Sequence, residues 1–182
     1  MECIKGSFGE KYVGITAGRA DIESIDEIIE EINVIDEEYD TVSQIFDASK
    51  IFGKNHLLQS SKLTLEALED GETFANSPAI ELTCWTAGSR QINKSLERVG
   101  VKEGSDQPVS AVTIGDDTES VEEAQEKITQ NLKIRKDEKA LEVSEEKIEG
   151  LKKTFSITEK QLEVSTPEKI VLEQIALLSL EL

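Results

Sequence analysis

The sequence is poor in the residues that usually carry crosslinks or chemistry. It has two cysteines, Cys3 and Cys84, and one histidine, His56, in 182 residues. A single bridge would be too little framework for a chain of this length, so a disulfide scaffold is excluded and a reducing compartment is expected. Three such residues, widely spread, do not make a zinc site. No stretch reaches the ~18–20 consecutive apolar residues that a membrane-spanning helix needs. Met1 to Gly9 lacks a basic start followed by an apolar run, so no secretory leader is expected and the anticipated location is cytoplasmic, with no membrane partner. A phosphate-cradling loop is missing as well. Gly53-Lys54 is followed by Asn55 where a Mg²⁺-binding hydroxyl belongs, and the upstream glycine is absent. Gly14–Gly18 does not match the dinucleotide fingerprint, and no serine sits in a G-x-S-x-G elbow. The chain is therefore read as non-enzymatic, with no cofactor. The alternative left open is a stand-alone enzyme whose site no motif reveals.

Acids are what the chain has in excess. The formal net charge is -18, which favours solubility and opposes nucleic acid and acidic membranes on average. The distribution is uneven. Asp21–Asp40 holds ten acids and no Lys or Arg. Thr41–Leu65 has only Asp47 against Lys50, Lys54 and Lys62, and Leu82–Lys102 has only Glu97 against Arg90, Lys94, Arg98 and Lys102. Either these two basic stretches are mixed, solvated helix faces, or they meet in space and receive an anion.

The hydrophobic patterning predicts a single layered α+β domain over residues 1–182. The expected form is a two-layer sandwich, with a mixed or antiparallel sheet of about four to five strands flanked by helices. Glu2–Phe8 and Lys11–Ala17 read as a hairpin turning at Gly9-Glu10. The isoleucines from Ile22 to Ile32 predict a helix over Asp21–Glu31. Val42–Phe46 reads as a strand and Lys54–Leu68 as a helix stopped at Asp70-Gly71. Ser77-Pro78 opens a helix to Thr86, with Ser77 as cap, and a second runs over Ser89–Val99 to Gly100. Val109–Ile114 is a strand, and Thr118–Gln130 and Ser144–Thr154 are helices. Asp116–Glu149, dense in Glu and Lys, reads as a solvated flank. Thr166-Pro167 opens a last helix to about Leu180.

That last helix is unusual. Wrapping Pro167–Leu182 as a helix puts Ile170, Val171, Leu172, Ile175, Leu178 and their apolar neighbours around most of its circumference. A helix packed on one side needs only a stripe. Either this one is fully buried, or its second face meets a partner; the second reading makes Ile170, Val171, Ile175 and Leu178 docking residues.

Phe74–Leu82 (FANSPAIEL), followed by Thr86–Ile92 (TAGSRQI) and Gly100–Gly104 (GVKEG), resembles the central motif of the TPRKB/CGI family, here residues 74–104. The end, Pro167–Leu178 (PEKIVLEQIALL), is similar to that family's terminal helix. Family members are non-catalytic, kinase-binding subunits of the KEOPS complex, which installs threonylcarbamoyl on the adenosine beside the tRNA anticodon. The resemblance implies contact with the kinase-like ATPase subunit and, through it, the universal threonylcarbamoyl-transfer subunit. It also implies help in holding tRNA by its single-stranded 3′ CCA end. Lys50, Lys54, His56, Asn76, Arg90, Gln91 and Lys94 are the candidates for that RNA contact, by backbone charge and edge contacts. Plainer readings stand beside these: the lysines as parts of mixed, solvated helix faces, Arg90 and Gln91 as braces of a helix–helix turn, Asn76 as a capping residue and His56 as a satisfied structural histidine; Trp85 reads as core. A kinase-regulating adaptor without an RNA role is the other reading of the same features.

Overall fold

A computed structural model describes residues 1–181. The expected α+β class holds, with an antiparallel, five-stranded sheet. Its strands are β1 (Glu2–Gly6), β2 (Gly9–Ile22), β3 (Val42–Asp47), β4 (Gly104–Gly115) and β5 (Arg135–Lys136), in the order β1-β2-β4-β3 with β5 also on β2. The hairpin turns at Ser7-Phe8, two residues earlier than expected: Gly6 pairs with Gly9, which takes the left-handed φ of 89° that a side chain would resist.

Side chains alternate across the sheet. On one face Ala20, Ile45, Val109 and Ala111 pack against α1 (Ile25–Tyr39) and α5 (Thr118–Asn131), meeting Ile28, Ile32, Ile35, Ala124 and Ile128. On the other, Val13, Phe46, Val112 and Ile114 meet Leu57 and Leu65 of α2 (Gly53–Asp70) and Leu82 of α3 (Pro78–Ala87). Leu151 of α6 (Glu145–Thr154) joins the same cluster. The layers thus run helix, sheet, helix, one more than the two anticipated. The acidic stretch expected to be a solvated flank supplies Ala124, Ile128, Leu132 and Ile134 to the first core, so it is integral to the fold.

The helix expected over Asp21–Glu31 begins later and runs further. Ile22 ends β2 and is buried, while Ser24 caps α1, its hydroxyl accepting from the Glu27 N–H at 3.3 Å. Ile22 fits both the helical and the strand period; the cap marks the true start. Ser144 and Thr166 cap α6 and α8 (Pro167–Leu177) as expected. Ser77 occupies the cap position of α3 but makes no capping bond. The following helix, α4 (Ile92–Val99), starts three residues beyond the expected Ser89, whose hydroxyl instead accepts from the Gln91 N–H. Pattern reading missed β5, the short α7 (Glu159–Leu162) and the 3-10 turns Ala48–Lys50, Glu138–Leu141 and Leu178–Glu181. Among the described residues no helix is long and apolar enough to cross a membrane.

Candidate functional site

The terminal helix α8 is a core element. Ile170, Val171, Ile175 and Leu178 are all buried by the chain itself, which corrects their expected place at a partner surface. The reason is geometric. Val171 belongs to the main core under the sheet, while Ile175 and Leu178 join a separate cluster with Leu63, Ala67 and Trp85. A helix wedged between two clusters needs apolar residues on two sides. What α8 and its extension leave bare is Leu177 and Leu180, 48% and 79% exposed. Leu182, counted in the helical wrap, lies outside the described residues.

The basic candidates separate into two groups. Lys54, at the start of α2, is tied to Glu2 at 2.7 Å, and Lys50 is half-buried in the 3-10 turn before it. Asn76, Arg90, Gln91 and Lys94 are exposed around the α3–α4 junction, where the Arg90 guanidinium lies 5.5 Å from the Phe74 ring centre. Among the described residues, no hydrogen bond or ion pair joins the two groups.

His56 belongs to neither group, which corrects its place among the RNA contacts. It is fully buried, edge-on to Phe155. Its Nδ1 accepts from the Phe52 N–H at 3.2 Å and its Nε2–H donates to Thr86 O at 2.9 Å. Those partners fit the neutral ring alone, and burial pushes its pKa down to about 4. The unfolded chain takes up a proton near the ordinary value of 6.5, while the folded chain does not. His56 therefore supports stability fully above about pH 6.5, and that support fades as pH falls toward about 4. Between about pH 7 and pH 5, the native protein should lose about 2 kcal/mol more than a His56→Gln chain in urea unfolding. Parallel profiles would contradict the assignment.

Glu81 is the feature that pattern reading did not find. Fully buried on α3, its Oε2 accepts the Phe74 and Ala75 N–H groups and its Oε1 the Trp85 indole N–H, each at 2.8 Å. This carboxylate fixes the Gly71–Ser77 loop and holds the Phe74 ring 5.2 Å from that of Trp85. The only sequence signal was a lone acid in α3, whose other residues are uncharged. Trp85 is core, 1% exposed.

An apolar opening lies along the outer edge of β3. A groove of about 450 Å³ is walled by Ile25, Ile28 and Ile29 of α1 on one side and by Ile80 of α3 and Leu96 of α4 on the other. Ile45 and Gln44 form its floor and Val101 closes it beyond Gly100. Its lips, Ile29 and Leu96, are 45% and 41% exposed. Asp26 and Glu97 also line it.

Two N–H groups of the strand edge beneath are taken up by side chains. Asp36 Oδ2 accepts the Ser43 N–H at 2.7 Å. Gln44 Oε1 accepts the Ile45 N–H at 2.9 Å, while its amide donates to Thr83 Oγ1 and Ala79 O. Burial pushes the Asp36 pKa up, opposed by its bonds from Ser43 and Thr41. At the far end, Gly100 bridges to Phe46. The groove draws on four elements, so no contiguous motif announces it. Among the described residues, no group of three or more acids, cysteines and histidines is placed to hold a metal ion.

A search of curated proteins finds no match to this chain. A family model described as "Kinase binding protein CGI-121" matches residues 20–179, from the last turn of β2 pairing through α8 and into the extension that follows it. That match spans both faces of the sheet, the groove, the Glu81-anchored loop and the terminal helix, and the chain belongs to the CGI-121 family of kinase binding proteins.

Proposed function

We propose that this chain is a non-catalytic subunit of KEOPS that docks the kinase-like ATPase subunit through the groove at the β3 edge. Through that subunit it works with the threonylcarbamoyl-transfer subunit on tRNA. The observation that carries the reading is the apolar groove itself, whose lips Ile29 and Leu96 stand open to solvent on an otherwise highly charged chain. Two exposed side chains facing each other across a cleft are placed to anchor a partner without being needed for folding. Paired Ile29→Glu and Leu96→Glu substitutions should reduce capture of the kinase-like subunit at least about a hundredfold while leaving the circular dichroism unchanged. Undiminished capture would move the kinase to another face.

The tRNA end is assigned to the surface around Phe74 and Arg90, with Asn76, Gln91 and Lys94 beside them. An aromatic ring topped by a guanidinium, next to exposed amides, suits an unpaired base and its phosphate. Lys50 and Lys54 make no hydrogen bond or ion pair with these residues, and Lys54 is already paired with Glu2. Arg90→Glu with Lys94→Glu should weaken tRNA binding about tenfold or more, and removing the CCA end should abolish the difference. The net charge of -18 favours a second reading, a kinase-regulating adaptor without RNA. Equal, salt-sensitive binding of native and variant chains to intact and trimmed tRNA would favour that one.

A further inference from the structure

The groove's chemistry says what kind of segment it takes. An exposed strand edge ordinarily recruits a partner strand through its free N–H and C=O groups. Here the outward N–H groups of Ser43 and Ile45 are already bonded to Asp36 and Gln44, and Gly100 covers the end of the edge. Strand addition would have to displace both side chains, together with the two bonds from the Gln44 amide to α3. What the groove offers is branched aliphatic surface from Ile28, Ile29, Ile45, Ile80 and Leu96, the kind of floor that receives the apolar stripe of a helix.

Its charges point one way. The two charged liners, Asp26 and Glu97, are both acids. The α1 wall carries seven acids and no base over Ile25–Tyr39. Arg98 on α4 is turned from the groove: its Nη1 donates to Ala87 O at 2.6 Å and its guanidinium lies over Phe155.

We propose that the β3-edge groove binds an amphipathic helix of a protein partner, with apolar residues at three- and four-residue steps and Lys or Arg flanking them. The proposal deepens the kinase-docking reading, since it names the partner segment for the same groove, and rests on that reading only for the partner's identity.

Three designed peptides of equal length test it against the purified full chain, with binding read by fluorescence anisotropy. The first carries leucines at positions i, i+3, i+4 and i+7 with lysines elsewhere. The second replaces the lysines with glutamates. The third has the composition of the first in strict alternation. The lysine helix should bind about tenfold or more tighter than either of the others at low salt. Its advantage over the glutamate peptide should shrink as salt rises, and its binding should vanish in the chain carrying Ile29→Glu and Leu96→Glu. Asp26→Lys with Glu97→Lys should reverse the preference between the two helical peptides.

The alternating peptide binding best, or no preference for lysine over glutamate, would overturn the proposal. So would binding that survives the Ile29 and Leu96 substitutions. Competition separates the two readings. If the lysine helix binds in the groove but does not displace the kinase-like subunit, kinase docking at this site fails and the groove's preference stands. If that subunit is lost with the lip substitutions while the lysine helix itself does not bind the groove, kinase docking stands and the helix proposal fails.

Discussion

Replacing Glu81 with alanine should lower the unfolding free energy by about 3 kcal/mol or more. The substitution strands three donors, the Phe74 and Ala75 N–H groups and the Trp85 indole N–H, all held by one buried carboxylate. A buried donor left without an acceptor costs about 1–3 kcal/mol. Entry of water around the half-buried Phe74 keeps the total below the full sum of three such losses. Glu81→Gln should cost roughly half as much, because an amide has one oxygen to give and turns an N–H₂ group toward the remaining donor. Trp85 is the only tryptophan, so its fluorescence reports on the site directly. Its emission should shift to the red in the alanine variant, with the urea midpoint falling and the denaturant slope little changed. A loss under about 1 kcal/mol would mean that the loop is held by something other than this carboxylate.

Ile175→Glu should leave the protein unable to fold, and Ile175→Ala should cost about 2–5 kcal/mol. Ile175 is fully buried against Leu63, Ala67 and Trp85, and its Cγ2 lies 3.5 Å from where a Cβ on Gly88 would stand. Leu180→Glu, two residues beyond Leu178 and 79% exposed, should change stability by no more than about 0.5 kcal/mol. The contrast separates a core helix from a docking helix. A folded Ile175→Glu protein with native stability that merely lost its partner would return α8 to the interface. Thermal and urea unfolding of the three variants, measured beside partner capture, give the answer.

The elements of the fold were largely legible in the sequence because local chemistry marks their ends. Ser144, Thr166-Pro167 and Gly71 announced the helix boundaries they occupy. The start of α1 was misplaced because Ile22 satisfies two periods at once and only the Ser24 hydroxyl distinguishes them. For α8, periodicity reported correctly that Ile170, Val171, Ile175 and Leu178 need burial. It could not report that α2, α3 and the core beneath them would provide it. The site was less legible still. Ile29, Ile45, Ile80 and Leu96 lie far apart in the chain and meet only after folding. A structural reading of His56 was open in the sequence, but its two bonds depend on a turn and a helix end that no spacing specifies. Arg90 and Gln91, read alternatively as braces of a helix–helix turn, stand between α3 and α4, where Gln91 takes the cap position without a side-chain capping bond.

The pairing of β2 with β4 also has a consequence for biosynthesis. Tyr12 lies opposite Gly115 and Ile22 opposite Gly104, so the central ladder joins segments separated by α1, β3 and the α2–α4 helices. At the ~5–20 residues per second of translation, the nascent hairpin waits on the order of 5–20 s for the strand that completes it. Until then its long inner edge is open to any neighbouring chain, the situation that makes remote strand pairing slow and hazardous. The first helix to emerge after the hairpin is α1, with seven acids and no base. Mutual repulsion between nascent chains is therefore in place well before the sheet can close.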